Sequence, residues 1–341
     1  MLMTEKQVIL FTFPPVPHVY SISPFGLKVE SYLRVNQIPH KVVYTSKFGP
    51  KGKIPYIHLV TTTKIAESDE NHGDTNSNID QRVEVIPDSN VIITTLNKEF
   101  QNYITDEKKL KMADCTMTPE EAAISHAFTR MLDEHTSIIG FYYRYTMEME
   151  NFCNAVQINT YLFNADVSRK GAFIAKIFKM VLPNGTASRL KARGLLSHSK
   201  EELWDFSFED LASIENFLKM KQEEISKNDP KHVSRFFLGK KWATSIDCAI
   251  FGHLSQFLYI DMPNPFPQQV YIKSECPHIM AFMKAFRDLY WRDWDQKCQR
   301  CENEKFKIPH DPAKFGLLRK LVPISIMASI ALLLKKRQVI E

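Results

Sequence analysis

The chain has 341 residues, of which 44% are hydrophobic and 24% charged, a composition typical of globular proteins that bury a core. At about 150 residues per domain, this length predicts two domains. The net charge of +5 comes partly from basic residues near the C-terminus, so the near-neutral remainder disfavours a nucleic-acid-binding surface. Six cysteines are too few for a disulfide scaffold, and the N-terminus lacks the pattern of a signal peptide, which predicts a reducing compartment.

The first hundred residues alternate between strand and helix patterns. Short apolar runs predict strands at residues 8–13, 41–44, 54–60 and 83–86. Helices are predicted at 24–36 and from Ser89 to about Phe100, and the polar segment 61–81 predicts a long surface loop. This order predicts a small mixed α/β domain over residues 1–112.

Residues 113–312 show helical periodicity instead. Apolar residues at helical spacing predict one long helix from Pro119 to about Tyr145. Further helices are predicted at 173–180, 208–224, 246–258 and 280–291. The second domain is therefore predicted to be all-α, followed by a short apolar tail over residues 313–341.

Three motifs of the first domain bear on function. Residues 21–26, SISPFG, close a loop and open a helix, whose free backbone N–H groups favour a thiolate or alkoxide. Lys53-Ile54-Pro55 precedes the third strand, where a cis bond before Pro55 would turn the Ile54 backbone toward a bound peptide. Asp88 and Ser89 begin the next helix and suit a carboxylate, although both are also common N-cap residues. Their order and spacing favour a thioredoxin-like domain of the glutathione-transferase type.

The second domain contains a sharper motif. Thr244 and Asp247 have the spacing of a capping box, with Asp at the third helical position. Reciprocal hydrogen bonds between them predict a buried core helix. Transferase C-terminal domains carry this box in the same place.

Several segments together resemble the failed axon connections family. They are FPP and SPFGLKVESYLR near the N-terminus, GKIPYI, SHAF followed by MLDEH, and CPH leading to YWRDW. In this order they span roughly residues 8–295. The family is related to metaxins and to the cadmium-responsive proteins of nematodes. The resemblance implies a transferase fold whose members mostly lack demonstrated conjugating activity.

The resemblance also indicates which group would act on glutathione. Relatives often have Cys at the position of Gly26, and in omega-type transferases the nucleophilic cysteine aligns with Ser23. Neither position is a cysteine here, which excludes thiol–disulfide chemistry at these positions. Conjugation would depend on the hydroxyl of Ser21, Ser23 or Tyr20, with Ser23 the candidate catalytic residue. Alternatively, these hydroxyls only cap the helix that begins at Pro24.

A glutathione site is implied at the other two motifs. Its candidate residues are Lys53, Ile54, Pro55, Asp88 and Ser89. Glutathione is expected there as a substrate or ligand, and no cofactor is required.

Polar residues of the long predicted helix have two interpretations. They either face a co-substrate cleft between the domains, or form a solvated face or an interdomain salt-bridge network. These residues are His126, Arg130, Asp133, Glu134 and His135.

Four residues offer zinc-ligand chemistry: Cys276, His278, Cys298 and Cys301. Zinc sites usually show two tight ligand pairs, whereas this set contains a single C-x-x-C. No metal site is predicted.

The tail contains an uncharged run, residues 321–334, bracketed by basic residues on both sides. As a helix its 14 residues reach roughly 21 Å, short of a hydrocarbon core of about 30 Å, but the basic flanks can snorkel. The pattern favours a membrane anchor over a buried helix, and it resembles anchors of the mitochondrial outer membrane.

Two functions of different class follow. The first is a non-catalytic or weakly catalytic interaction module on the cytoplasmic face of a membrane, with the mitochondrial outer membrane favoured and the cytosol as the alternative. Its expected partners are a protein, glutathione, the membrane through the tail and a second copy in a homodimer, but not nucleic acid. The second is a glutathione S-transferase that joins glutathione to a hydrophobic electrophile, with Ser23 activating the thiol.

Overall fold

A computed structural model of the chain describes residues 2–65, 78–101, 112–163, 169–228 and 235–303. The chain divides into one unit, Met1–Phe306, and a second unit, Lys307–Glu341. The second unit, and with it the predicted anchor in the tail, lies outside the described residues. Within the described ranges, no helix has the length and apolar character needed to cross a membrane.

Four strands form a single sheet in the N-terminal domain. They are β1 (Leu2–Thr12), β2 (His40–Tyr44), β3 (Tyr56–Ile65) and β4 (Asn78–Pro87). The strand order is β2-β1-β3-β4, with β1 and β2 parallel and the other neighbours antiparallel. Helix α1 (Pro24–Val35) connects the parallel pair, and α2 (Ser89–Phe100) follows β4. This arrangement confirms the thioredoxin-like fold predicted from the sequence.

The polar segment between the third and fourth strands differs from the prediction at both ends. Strand β3 continues to Ile65 and β4 begins at Asn78, so Thr63 pairs with Asp80 across an antiparallel ladder. Threonine is β-branched and favours extended backbone despite its polarity, which explains why a surface loop was wrongly predicted there. Residues 66–77 of this segment lie outside the described residues.

The C-terminal domain is helical, as predicted. Its helices are α3 (Pro119–Met131), α4 (Ser137–Tyr142), α5 (Met149–Ala155), α6 (Ile158–Phe163), α7 (Arg169–Ala192), α8 (Lys200–Asn228), α9 (Ser245–Leu258), α10 (Pro267–Glu275), α11 (Pro277–Tyr290) and α12 (Trp294–Asn303). Two π-helical turns, Leu132–Thr136 and Tyr143–Met147, prolong α3 and α4. The long helix predicted from Pro119 is therefore present as a nearly continuous helical run.

Helices α1 and α9 pack directly against each other and join the two domains. Residues 246–258 of α9 are all buried, and α1 is buried over most of its length. Gly252 makes the close approach feasible, because a Cβ at that position would lie 2.6 Å from the Pro24 carbonyl oxygen and 2.8 Å from the Lys28 nitrogen. Both of those atoms belong to rigid backbone, so this crossing requires glycine.

Helix α9 begins at a buried capping box. The Asp247 carboxylate accepts hydrogen bonds from the Thr244 backbone N–H at 2.7 Å and from the Thr244 hydroxyl at 2.8 Å. Its other oxygen accepts from the Phe237 backbone N–H at 2.7 Å. Burial raises the pKa of Asp247 to about 6 in spite of these bonds. The carboxylate thus ties the start of α9 to the loop that precedes it.

Replacing Asp247 by Ala is expected to lower the free energy of unfolding by about 3 kcal/mol, because three buried donors lose their acceptor. The matched control is Glu121→Ala, which removes the second capping partner of α3 at a partly exposed site and should cost about 1 kcal/mol. Urea unfolding followed by circular dichroism measures both. Equal losses for the two variants would contradict the role assigned to the buried box.

Candidate functional site

The loop before α1 brings two of the predicted hydroxyls together. The Ser23 hydroxyl oxygen accepts from the Gly26 backbone N–H at 3.2 Å, and the Ser21 hydroxyl oxygen accepts from the Ser23 backbone N–H at 3.2 Å. Both serines are buried, with 6% and 2% of their surfaces exposed. The two side chains therefore shape the start of α1. A Cβ at Gly26 would lie only 2.3 Å from the Thr12 hydroxyl oxygen, so a larger residue there would require the Thr12 side chain to move.

The Tyr20 hydroxyl is not available as the predicted donor to a thiolate. It donates to the Asp293 carboxylate at 3.2 Å and accepts from the Arg34 guanidinium at 3.0 Å. The ring packs against Trp291 and Trp294, and burial raises the pKa of Tyr20 far above its usual value. Tyr20 thus helps to fix the last helices of the domain onto α1.

The other two motifs meet at one edge of the N-terminal domain. The Ile54–Pro55 bond is cis, the conformation considered in the sequence analysis, and the ammonium of Lys53 lies 3.5 Å from the Asp88 carboxylate. Asp88 is the N-cap of α2 and accepts from the Asn90 backbone N–H at 3.0 Å. Its φ of 76° is unusual for a residue with a side chain. We call Lys53, Ile54, Pro55, Asp88 and Ser89 the binding edge.

Behind the binding edge lies a buried cluster of polar side chains from four elements. The Asp133 carboxylate accepts from the Lys28 ammonium at 2.9 Å and from the Asn90 amide at 2.8 Å, and contacts the His253 ring nitrogen Nε2 at 2.8 Å. The Lys28 ammonium also donates to the Asn90 carbonyl oxygen at 2.7 Å. We call these four residues the charge cluster. It connects α1 and α2 of one domain with two helices of the other.

Burial is the largest single influence on the pKa values of the charge cluster, but it does not set the direction of every shift. It raises the pKa of Asp133, but the His253 hydrogen bond and the Lys28 charge outweigh it and hold that pKa well below its usual value. Burial lowers the pKa of Lys28 and of His253, although Asp133 opposes both shifts. The ion pair of Lys28 and Asp133 has less than a twentieth of either side chain exposed. Its two charges compensate each other inside the protein.

Arg144 is a second buried cation in the same region, and it is compensated differently. Its guanidinium donates to the Ile22 carbonyl at 3.1 Å and to the Gln256 side-chain oxygen at 2.8 Å. The rings of Phe141 and Phe152 lie 4.9 and 4.7 Å from its central carbon. Burial lowers the pKa of Arg144. The guanidinium holds the loop that leads into Ser23 against the helical domain.

The polar residues of the long predicted helix do not share one environment. Asp133 belongs to the charge cluster, which agrees with the interdomain salt-bridge interpretation. His135 instead contacts Asp210 at 2.8 Å within the helical domain, and Glu134 pairs with Arg193. The two remaining residues, His126 and Arg130, are exposed.

The cysteines with zinc-ligand chemistry are not gathered at a metal site in the described part of the chain. Cys276 and Cys298 are buried, and His278 is bonded to the Glu215 carboxylate at 2.6 Å. Glu215 also accepts from the backbone N–H of Ile279 and so caps α11. The side chain of the fourth residue, Cys301, lies outside the described residues.

Four functional residues were missed from the sequence: Lys28, Asn90, Arg144 and His253. Lysine and arginine on a helix are normally expected to be exposed to solvent. Only the contacts across the domain interface reveal that Lys28 and Arg144 are buried. A usable signal existed for Lys28, because apolar residues flank it on more than one side of α1. Such a pattern indicates a helix buried all round.

Comparison with known proteins agrees with this architecture. The family model described as glutathione S-transferase N-terminal domain matches residues 24–151. The model described as glutathione S-transferase, C-terminal domain matches residues 233–286. Together the two matches cover more than half of the chain. The chain therefore has the two-domain fold of the glutathione S-transferases.

The predicted resemblance to failed axon connections is confirmed as well. The chain is 27% identical over 324 residues to Failed axon connections of Drosophila melanogaster, an alignment that covers 92% of this chain and 65% of that protein. The chain thus spans slightly less than two thirds of the length of this relative.

Solved structures with the same fold are more distant. Glutathione transferase GSTFuA3 from Phanerochaete chrysosporium is 14% identical, with a TM-score of 0.42 over 82% of this chain and 96% of the other. A glutathione S-transferase of Ceriporiopsis subvermispora in complex with glutathione is 14% identical, with a TM-score of 0.41 over 82% and 96%.

The charge cluster leads to a prediction on stability. Asp133→Asn is expected to lower the free energy of unfolding by about 3–5 kcal/mol, because Lys28 stays buried without its counter-charge. The matched control is Asp288→Asn, which breaks an exposed helical pair with Lys284 and should cost less than about 1 kcal/mol. Urea unfolding at neutral pH compares the two.

The stability difference between the wild-type protein and Asp133→Asn is expected to depend on pH. The pKa of Asp133 is lowered in the folded protein, so its stabilising effect is present above the unfolded pKa of about 3.9 and is lost as the pH falls below it. The stability difference between the wild-type protein and Asp133→Asn should therefore narrow in acid. A difference that is constant down to the acid limit of folding would contradict an ionised Asp133.

Proposed function

We propose that this protein is an interaction module of glutathione-transferase fold with little or no conjugating activity. Three facts support the proposal. The Ser21 and Ser23 hydroxyls are buried and bond to backbone N–H groups, the Tyr20 hydroxyl is bonded to Arg34 and Asp293, and position 26 is a glycine, which has no thiol. None of these groups is presented to a substrate as an activated nucleophile would be.

The observation that carries the proposal is the packing in front of α1, between the two domains. The ring of Phe25 meets Phe141 and His253 at centroid distances of 6.4 and 5.3 Å, and Arg144 fills the space beside them. The cavity bordered by Pro24, Phe141, Arg144 and His253 measures about 10 Å³, which is room for one water molecule. A site for a hydrophobic co-substrate needs about 300 Å³ or more.

Glutathione itself remains part of the proposal as a ligand of the binding edge. Asp88 adopts a backbone conformation that side chains rarely adopt, and such strain is often found where a ligand is bound. Lys53 and the N-terminus of α2 at Ser89 supply positive charge for a peptide carboxylate, and Asp88 supplies negative charge for an ammonium group. These complementary charges suit the two ends of a short zwitterionic peptide.

A conjugating transferase is the second candidate, and one observation favours it. The Ser23 hydroxyl accepts the Gly26 N–H with a lone pair, so it keeps its own proton for donation to a thiolate. The helix N-terminus beside it favours negative charge. This function needs the aromatic packing in front of α1 to open for the second substrate.

Two measurements on the full chain separate these candidates. Titration calorimetry is expected to show saturable glutathione binding that Ser89→Ala weakens about tenfold, since one hydrogen bond to a charged group is lost. Ser125→Ala, an equally buried serine of α3, should leave the affinity unchanged. Conjugation of glutathione to chlorodinitrobenzene should proceed no faster with the protein than without it.

The conjugation assay also has an outcome that favours the transferase. Saturable turnover that is lost in both Ser23→Ala and Ser23→Asp would establish the second candidate, because aspartate preserves the helix cap but has no proton to donate. Binding without turnover supports the interaction module. Absence of binding by a folded protein would remove glutathione and leave only the interaction role.

The proposal includes a membrane location through the tail, with the cytoplasmic face of the mitochondrial outer membrane favoured over the cytosol. The support is the uncharged run 321–334 between basic residues. A protein partner and a homodimer belong to the same proposal, because such a module would act by holding other proteins at this surface.

Deleting residues 313–341 is expected to release the protein from membranes that retain the full chain after alkaline carbonate washing. Carbonate removes proteins held at the surface, so the retained fraction reports insertion. The control is a full-length variant in which three apolar residues of the tail, Ile324, Ile326 and Leu332, are replaced together by Ser. This variant should be released from the membranes to the same extent as the truncated protein. Retention of the truncated protein would contradict the anchor.

A further inference from the structure

Helix α7 carries an unusual concentration of one charge. Its 24 residues contain six lysines and arginines and no aspartate or glutamate, whereas the entire chain has a net charge of only +5. Residues 193–200 contain no acidic residue either, and they add two further basic residues, Arg193 and Lys200. A helix of this composition is repelled by basic partners and attracted to polyanionic ones.

The outward face of α7 combines these charges with large apolar side chains. Phe173 has 65% of its surface exposed and Met180 has 60%, and both lie on the side of the helix that also presents Lys176. Val181 and Ile174 widen the apolar surface, with 42% and 41% exposed. This places bulky apolar groups and cations on the same solvent-facing side.

The opposite side of α7 is packed, so its exposed face is a property of the folded domain. Ala175, Thr186 and Leu190 are buried against the helical domain, and Phe178 meets Phe163 at a centroid distance of 5.2 Å. The helix contacts α4 and α6. The face with Phe173 and Met180 points away from these neighbours.

Acidic groups on neighbouring elements neutralise little of this charge. Glu134 pairs with Arg193, which lies just beyond the end of α7. Glu150 of α5 raises the pKa of the nearby Cys153, whereas Lys179 of α7 lowers it. Lys176, Arg189 and Lys191 remain exposed on α7.

We infer that α7 is a peripheral membrane-binding helix that lies on an anionic lipid surface. Cations recognise lipid phosphates and serine headgroups, while exposed apolar side chains enter the boundary between headgroups and acyl chains. Apolar groups as large as Phe173 and Met180 between the cations favour lipid over nucleic acid, where phosphate contacts predominate. The site is part of the folded body and is distinct from the tail proposed as an anchor.

The test uses the full chain with a tryptophan reporter. Phe173→Trp is expected to be quenched by brominated acyl chains in vesicles of phosphatidylcholine with phosphatidylserine, and far less in vesicles of phosphatidylcholine alone. Val270→Trp on α10, where the native valine is 54% exposed, is the matched control and should not be quenched.

Charge variants in the Phe173→Trp protein complete the test. The serine-lipid-dependent binding should weaken about fivefold with Lys176→Gln and about thirtyfold with Lys176→Glu. Lys273→Gln on α10 should have no effect, and thermal unfolding checks that each variant is folded. Equal quenching at positions 173 and 270, or binding unchanged by the Lys176 variants, would overturn the inference. The inference would also be overturned if the Lys176 variants lost affinity for single-stranded RNA while their binding to vesicles stayed intact.

Discussion

The close crossing of α1 and α9 is the constraint on which the other interdomain features depend. Because Gly252 has no side chain, the α9 backbone comes within van der Waals contact of the first turns of α1. That proximity places His253 beside Asp133 and brings Gln256 to the Ser21 carbonyl at 2.9 Å. The loop that would present a catalytic hydroxyl is thus fixed from the helical domain. Its geometry is a consequence of domain packing as much as of its own sequence.

The two buried cations near this crossing are stabilised by different means. Lys28 has a carboxylate partner within hydrogen-bonding distance, and the pair is nearly neutral as a unit. Arg144 has backbone and amide oxygens and the faces of aromatic rings, which together replace water without supplying a full negative charge. Arg144 also borders the small cavity beside Pro24, whereas Lys28 lies among the polar side chains of the charge cluster.

Local rules predicted much of the fold, and long-range contacts explain what they missed. The cap at Ser23, the turn at Asp88 and the box at Asp247 each depend on hydrogen bonds within three residues, so their spacing is visible in the sequence. Lys28 meets Asp133 across 105 residues, and no periodicity indicates such a partner. The partners of Tyr20 were not predicted for the same reason, since Asp293 lies 273 residues away.

Asn90 gives the binding edge a consequence for the whole molecule. It is the second residue of α2, directly after the turn formed by Asp88 and Ser89, and its side chain bonds to both Lys28 and Asp133. The turn is therefore connected by hydrogen bonds to the contact between the two domains. A ligand bound at this edge, as proposed above, would stabilise the folded state of both domains, so the unfolding temperature of the helical domain would rise although the ligand does not touch it.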